Sequence, residues 1–301
     1  MKDLSIIIVN YYTEGLIIDC VKSIISNTRN LLYEVIIVDN NSPNNSFEKL
    51  SCLNKEPDFH LISLEENVGF GRANNEGLKI AKGRNILFLN PDTIVCQDAI
   101  SIMCNYLDDN DSVGACCANL YDGAMNPVHS YNMIKPSLFN EINLMLLSIP
   151  SRFIYGKNLR FNYSNNCKKV NCITGADLMT RKRILDKIGG FNPTFFMYYE
   201  DTELCYRIKK EGGDLISLPN AKIMHLEGKS FNNIERRAKM SYEGRENYYK
   251  LVYPKYYRII SKMLFCTNCL AAYFVNYSLK RPVYRYWKTQ FLMCFNSNYV
   301  N

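Results

Sequence analysis

The sequence predicts an α/β fold, a mainly parallel sheet flanked by helices and followed by a helical, basic C-terminal tail. Three observations carry this. Short β-branched apolar runs alternate with helix-like segments over the first 120 residues. Several of these runs are closed by a polar residue, at Asn10, Asp39 and Asp92. The positive charge is gathered at the C-terminal end.

Residues 4–10 (LSIIIVN) and 34–40 (EVIIVDN) are apolar runs of the kind buried on both faces of a parallel sheet. Residues 60–64 (HLISL), 85–90 (NILFLN) and 113–118 (VGACCA) continue the series. Helices are expected between them at 16–26, 47–53, 73–81 and 98–107. Such alternation argues for right-handed crossover units, whose ligands bind beyond the carboxyl ends of the strands. The stretch 121–170 is polar, rich in Asn and Tyr, with an apolar piece at 142–149, and reads as an insertion or flexible loop region. Order returns over 172–191, a strand, a turn and a helix closed by Gly189 and Gly190. A helix is expected at 202–211, stopped by Gly212 and Gly213, then short strands at 215–219 and 222–226. From about 241 the chain is helical in tendency without a clean period.

A chain of 301 residues, 47% hydrophobic and 22% charged, is globular in composition. Its twelve cysteines are scattered, no secretory signal precedes them, and Cys266 and Cys269 lack a second pair at zinc-site spacing. A reducing cytoplasm is the expected setting. The formal net charge of +7 arises entirely after residue 250. No acidic residue follows Glu246, while residues 251–301 carry Lys255, Arg258, Lys262, Lys280, Arg281, Arg285 and Lys288 among thirteen aromatics. The uncharged stretch between Lys262 and Lys280 is 17 residues long, short of the roughly 20 a spanning helix needs. A cationic, aromatic tail suits contact with an anionic membrane surface rather than nucleic acid, the plainer alternative being a helical face packed on the rest of the chain. Oligomeric state leaves no mark on the sequence.

The candidate chemistry lies at strand ends. Asp39 follows VIIV, where a carboxylate can accept a nucleobase N–H or a ribose hydroxyl, or simply close a loop. The segment ENVGFGRANNEG (66–77) superficially resembles a dinucleotide fingerprint, but Asn74 stands where a glycine belongs and the segment follows the third strand. It fits a glycine turn feeding a helix N-terminus beside phosphates. Asp92, in NILFLNPDT, is either a cap for the next helix or a hard oxygen ligand for Mg²⁺ or Mn²⁺. Glu200, Asp201 and Glu203 cluster at a helix start behind bulky apolar residues, where they complement the helix dipole or form a tuned general base. His225 follows a short strand and is either structural or a metal partner for Asp92. His60 and His129 sit in no comparable setting.

Taken in order, SIIIVNYY, EVIIVDNNS, ENVGFGRANNEG, LFLNPDT and TGADLMTRKRILDKIGGFNPTFFMYYEDTELCYRIKKEGG, with His225 after them, resemble the family 2 glycosyltransferases. The nearest branch is that of bacterial rhamnosyltransferase-like enzymes of surface polysaccharide assembly, and the resemblance covers residues 3–230. It implies a GT-A fold with a Rossmann-like sheet, a catalytic domain over 1–240 and an extension over 241–301. Within the former, about 1–120 would be the nucleotide-binding half and about 121–240 the acceptor half.

The resemblance further implies an inverting transfer from a dTDP- or UDP-sugar, with Mn²⁺ or Mg²⁺, to a saccharide or lipid-linked saccharide at the inner face of the cell membrane. It places Val9, Asn10, Tyr11 and Asp39 at the nucleoside, and Asn67, Gly69 and Arg72 near the nucleotide and its phosphates. Asp92 and His225 would hold the metal, and Gly175 and Ala176 would line the acceptor side. Asp201 would be the base, with Glu200 orienting it or the acceptor. The family's fuller Asp-x-Asp is Asn90-Pro91-Asp92 here, which leaves Asp92 as the one carboxylate of that motif. The alternatives are a non-catalytic nucleotide-sugar-binding relative and, more remotely, a nucleotide-dependent oxidoreductase.

Overall fold

A computed structural model of the chain describes residues 2–55, 58–226 and 233–295. The last residues of the C-terminal extension, 296–301, lie outside the described residues. Strands β1 (Lys2–Asn10), β2 (Tyr33–Asp39), β3 (Phe59–Ser63) and β4 (Gly83–Leu89) alternate with helices α1 (Glu14–Asn27), α2 (Ser46–Leu50) and α3 (Phe70–Ile80). There follow β5 (Thr93–Cys96), α4 (Ala99–Asp109), β6 (Val113–Tyr121), β7 (Tyr131–Asn132), α5 (Leu138–Met145) and α6 (Ile149–Tyr155). The short β8 (Lys168–Lys169) and β9 (Cys172–Ile173) lead into β10 (Asp177–Arg181), α7 (Lys182–Ile188), α8 (Glu200–Lys210) and β11 (Asp214–His225). Three helices end the described chain: α9 (Ile234–Val252), α10 (Lys255–Ser278) and α11 (Tyr284–Met293).

The main sheet runs β3-β2-β1-β4-β10-β6-β11-β5, with β8 on β11. Its first four strands are parallel, as the alternation predicts. Beyond β4 it is mixed: β10 is antiparallel to β4 and β6, β11 is parallel to β6, and β5 is antiparallel to β11. The two strands expected at 215–219 and 222–226 are one, with a register shift between Leu218 and Lys222 where Pro219 interrupts the ladder.

Strand alternation sends Ile6 and Ile8 to one core with α1 and α4, and Ile7 and Val9 to the other with α3, α7 and α8. The order places β1 between β2 and β4, the connections α1 and α3 pack on opposite faces of the sheet, and a crevice opens beyond these strands' carboxyl ends.

The stretch 121–170, expected as an insertion or loop, instead carries α5 and α6. The buried side-chain pair Glu141–Arg245 joins α5 to α9 at 2.8 Å. The helix α10 spans 24 residues, longer than the uncharged stretch suggests, because Lys255, Arg258 and Lys262 lie within its first turns. It is long and apolar enough to cross a membrane by length and composition, with a mean hydropathy of 1.3 over its best window.

Candidate active site

The carboxyl ends of β1, β2 and β4 converge on a cavity of about 170 Å³ lined by Val9, Tyr11, Thr13, Asn40, Asn67, Gly69, Phe70 and the Asn90–Asp92 turn. Its opposite wall comes from Phe196, Met197 and Tyr198, ahead of α8, and from Arg236 and Met240 on α9.

Asn10 and Asp39 are opposite each other in the β1–β2 register. The Asn10 amide donates to Asp39 Oδ1 at 2.5 Å, and its oxygen accepts from the Thr13 main-chain N–H and hydroxyl. Asp39 Oδ2 accepts from the Ser42 N–H at 3.1 Å. Asn10 is thus a buried brace between two strand-end turns, whereas its neighbours Val9 and Tyr11 face the cavity. Asn40 does similar work one step further on: it donates to Asn67 Oδ1 and accepts from Val68 N–H, fixing the glycine turn.

Gly69 has φ +88, and an added Cβ would lie 2.3 Å from the Phe196 carbonyl oxygen, which accepts from Phe70 N–H at 3.0 Å. Only a glycine allows that approach at this backbone angle. Arg72, expected near the phosphates, is exposed and donates from Nε to the Pro193 carbonyl at 2.7 Å. It holds the 191–196 loop, outside the cavity lining.

Asp92 does not cap a helix. β5 follows it, and α4 begins only at Ala99 with Asp98 as its N-cap residue. The Asp92 carboxylate is buried, with Oδ1 3.2 Å from His225 Nε2. The pairing of β5 with β11 sets Thr93 opposite His225 and so delivers the imidazole to that place. Asn90 Nδ2 lies 3.3 Å from the same nitrogen. An Nε2 that accepts from Asn90 faces the Asp92 oxygen lone pair to lone pair, an arrangement a cation relieves. Carboxylate and imidazole suit Mn²⁺, and the carboxylate alone suits Mg²⁺. Among the described residues no group of three or more His, Cys, Asp or Glu side chains is placed to hold a metal. This two-residue donor set fits an ion whose remaining positions are filled by phosphate oxygens and water.

A hydrogen bond from Asn90 N–H to the Ala176 carbonyl at 2.9 Å links this turn to the segment carrying Gly175. Gly175 N–H donates to Asp201 Oδ2 at 2.9 Å, and Thr202 N–H and hydroxyl donate to Oδ1. An added Cβ on Gly175 would sit within 3.6 Å of Asp201 Oδ2 and Phe70, so its lack of a side chain opens this corner. Glu200 is buried beside Asp201, and its Oε2 has no hydrogen-bond partner among the described residues. Burial, with the Asp201 charge beside it, pushes the Glu200 carboxyl up to about 8. Burial also raises Asp201, against the donors from Thr202 and Gly175. Two adjacent carboxyls in such a place do not both ionise readily near neutral pH. The donors select Asp201 as the ionised member and leave Glu200 carrying a proton.

Of the cavity lining, sequence reasoning assigned no site role to Thr13, Asn40, Phe70, Pro91, Phe196, Met197, Tyr198, Arg236 and Met240. Asn40 stands next to Asp39 at a strand end, a signal that was available. Arg236 and Met240 come from α9, and nothing in their own sequence marks them.

The family model for Glycosyl transferase family 2 matches residues 5–189, more than half of the chain. The chain is 27% identical over 215 residues to the low-salt glycan biosynthesis hexosyltransferase Agl10 of Haloferax volcanii, covering 70% of this chain and 63% of that protein. A poly(ribitol-phosphate) β-glucosyltransferase of Bacillus spizizenii is 27% identical over 175 residues, covering 57% of this chain and 26% of that protein. The chain thus spans less than two thirds of the length of either relative. It is also 27% identical over 205 residues to the rhamnosyltransferase WbbL of Escherichia coli, covering 64% and 72%. The fold matches the mannosyltransferase PcManGT of Pyrobaculum calidifontis, solved with GDP-Man and Mn²⁺, at TM-score 0.60 and 16% identity over 99% of this chain and 84% of that one. It also matches GalNAc-T7, solved with UDP, GalNAc and Mn²⁺, at TM-score 0.58 and 16% identity, over 83% and 50%. The crevice beyond β1, β2 and β4 thus sits in a GT-A fold, and the chain belongs to glycosyl transferase family 2.

Proposed function

We propose that this chain is an inverting hexosyltransferase that moves a sugar from a nucleoside diphosphate donor to a hydroxyl of a saccharide or lipid-linked saccharide. Rhamnose from a dTDP donor is the preferred reading, on the likeness to WbbL, with UDP-linked hexoses as competitors. The observation that carries the reading is a contact chain that starts at the cavity wall: Asp92, paired behind the wall with His225 as a cation-fitting couple, adjoins Asn90, whose bond to Ala176 leads through Gly175 to a donor-held Asp201 outside the lining. The proposed setting is the cytoplasmic face of the membrane, in assembly of a bacterial surface polysaccharide.

In this reading Val9, Tyr11 and Asn40 bound the nucleoside, with Asp39 bracing the turn behind them. Asn67 and Gly69 bring main chain close to the diphosphate. The acceptor hydroxyl enters beside Gly175, where Asp201, ionised and held by Gly175 and Thr202, takes its proton. The acceptor oxygen forms its bond to the sugar C1 as the bond from C1 to the diphosphate oxygen breaks, and the configuration inverts. Protonated Glu200 keeps a second negative charge away from that corner. Asp92 and His225, with Asn90 beside them, would hold a divalent cation, which when bound would supply Lewis-acid neutralisation of charge growing on the diphosphate, worth several kcal/mol in such sites.

The test is Asp201→Asn. Removing a general base typically lowers the rate by about 10²–10⁴-fold, with donor binding kept. Transfer from dTDP-, UDP- and GDP-sugars is measured with Mn²⁺, and binding is read in parallel as the thermal shift each nucleoside diphosphate gives. Near-normal transfer by Asp201→Asn would remove it from the role. Nucleotide binding with neither transfer nor donor hydrolysis in the unsubstituted chain would identify a binder and not an enzyme.

A further inference from the structure

A helix on a protein surface in water turns its polar side chains outward. In α10 the arrangement is reversed. Beyond the exposed Lys255 at its start, its exposed positions run as a helical stripe through Tyr256, Ile260, Met263, Ala271 and Phe274, with Thr267 between and Ile259, Val275 and Tyr277 beside it, and the stripe carries no charge. Two of its polar residues, Ser261 and Asn268, are turned inward. Ser261 is fully buried and its hydroxyl accepts from Arg245 at 2.7 Å, while Asn268 donates to the Glu141 main-chain oxygen at 3.0 Å. These bonds tie α10 to α5 and α9 and leave the largely apolar outer stripe to meet its surroundings.

The patch continues onto the segment before it in sequence. Leu144, Met145 and Leu147 share a cavity of about 480 Å³ with Ala272 and Val275 of α10. Leu147 is 76% exposed, and Phe153 on α6 is 90% exposed. Apolar exposure on this scale marks an interaction surface.

The charges in these segments have one sign. Lys255, Arg258 and Lys262 occupy the first turns of α10, and Lys280 and Arg281 follow its end. No acid follows Glu246, and between Asp122 and Asp177 the one acid is Glu141, already buried against Arg245. A second copy of this chain would bring cations against cations. An anionic bilayer matches both properties, since lipid accepts the apolar stripe while Lys and Arg reach the headgroups.

We propose that the outer face of α10 and the α5–α6 segment together form a surface that lies on an anionic lipid bilayer, with α10 in the plane of the interface. This rests on reading the tail as a membrane contact and is independent of which sugar is transferred. The cavity between α5 and α10 is also lined by Tyr199, the residue before Glu200 and Asp201, so such a membrane surface adjoins the acceptor side of the proposed site.

The test is flotation of the full chain with phosphatidylcholine vesicles, with and without phosphatidylglycerol, at low and high salt. Binding is expected to vesicles containing phosphatidylglycerol and to weaken with salt. Met263→Glu with Phe274→Glu, and separately Leu147→Glu with Phe153→Glu, are each expected to reduce it by about tenfold or more. These side chains are exposed, so the melting temperature and the nucleotide-induced thermal shift are expected to stay as in the unsubstituted chain. Undiminished binding by the Leu147/Phe153 variant would overturn the composite surface and leave the tail as the sole contact. Undiminished binding by the Met263/Phe274 variant would overturn the role of α10. A concentration-dependent dimer in light scattering, without vesicle binding, would overturn the proposal in favour of a second copy. Transfer activity is measured separately, and its loss would count against the catalytic reading alone.

Discussion

Glu200 and Asp201 share one corner of the site, and their different surroundings give them different protonation states. Asp201 accepts from Gly175 and Thr202, whereas Glu200 Oε2 has no partner among the described residues and its carboxyl is pushed up to about 8 by burial and by Asp201. A carboxyl whose folded value lies above its ordinary 4.5 binds its proton more tightly when folded. Its stabilising contribution is therefore full below pH 4.5 and is lost as pH rises through about 8. In urea titrations across this range, Glu200→Gln is expected to flatten a fall in stability of the order of a few kcal/mol, and equal slopes in both proteins would refute the assignment. The acids themselves were legible in the sequence, as was the pairing of Asp92 with His225, because both sit at the ends of recognisable strands. The capping alternative for Asp92 fails on β5, whose β-branched Thr93, Ile94 and Val95 were available as a strand signal. Which acid is ionised came only from the family resemblance and was not legible in the residues themselves, since it depends on a main-chain N–H from Gly175, 26 residues away.

At the scale of elements, the loop before α8 is shaped by what packs on it. Tyr198 and Tyr199 have φ of +71 and +69, a conformation uncommon for non-glycine residues, and they lead directly into Glu200. Opposite them, on α9, Gly244 approaches so closely that an added Cβ would lie 2.4 Å from the Tyr198 carbonyl oxygen. In an isolated helix Gly→Ala stabilises by roughly 1 kcal/mol. Here backbone stands in the way, so the opposite sign is expected: Gly244→Ala lowers the melting temperature by several degrees, as a loss of more than about 1 kcal/mol would. It also slows transfer by displacing Glu200 and Asp201. A melting temperature equal to or above that of the unsubstituted chain would show that the loop yields at little cost. The first four strands and their helices were readable because each buries its own apolar run. The α9 contribution was not, since Gly244, Arg236 and Met240 acquire meaning only from the loop they face.

Across the whole molecule, the stretch expected to be an insertion is joined to the C-terminal helices by one buried polar cluster. Glu141 on α5 takes Arg245 at 2.8 Å and the Tyr249 hydroxyl at 3.1 Å. Arg245 also donates to Ser261 and lies over the rings of Tyr249 and Phe265 at 4.3 and 4.1 Å. Sequence periodicity could not reveal this, because the partners lie 104 residues apart and Glu141 sits in a segment of ordinary polarity. Removing one member of a buried pair strands the other's charge, at a cost of about 3–5 kcal/mol, whereas replacing both by apolar groups of similar size is often close to neutral. Arg245 keeps a second acid, Glu246, at 2.6 Å, so Glu141→Leu alone is expected to fall at the low end of that range in denaturant midpoints. Glu141→Leu with Arg245→Met is expected to recover most of the loss, short of all of it, because Ser261 and Tyr249 then lose their partners too. Recovery would assign the cluster's effect to compensation of buried charge. A double variant as unstable as the single one would assign it instead to the stacking of the Arg245 guanidinium on Tyr249 and Phe265, which a thioether side chain does not reproduce.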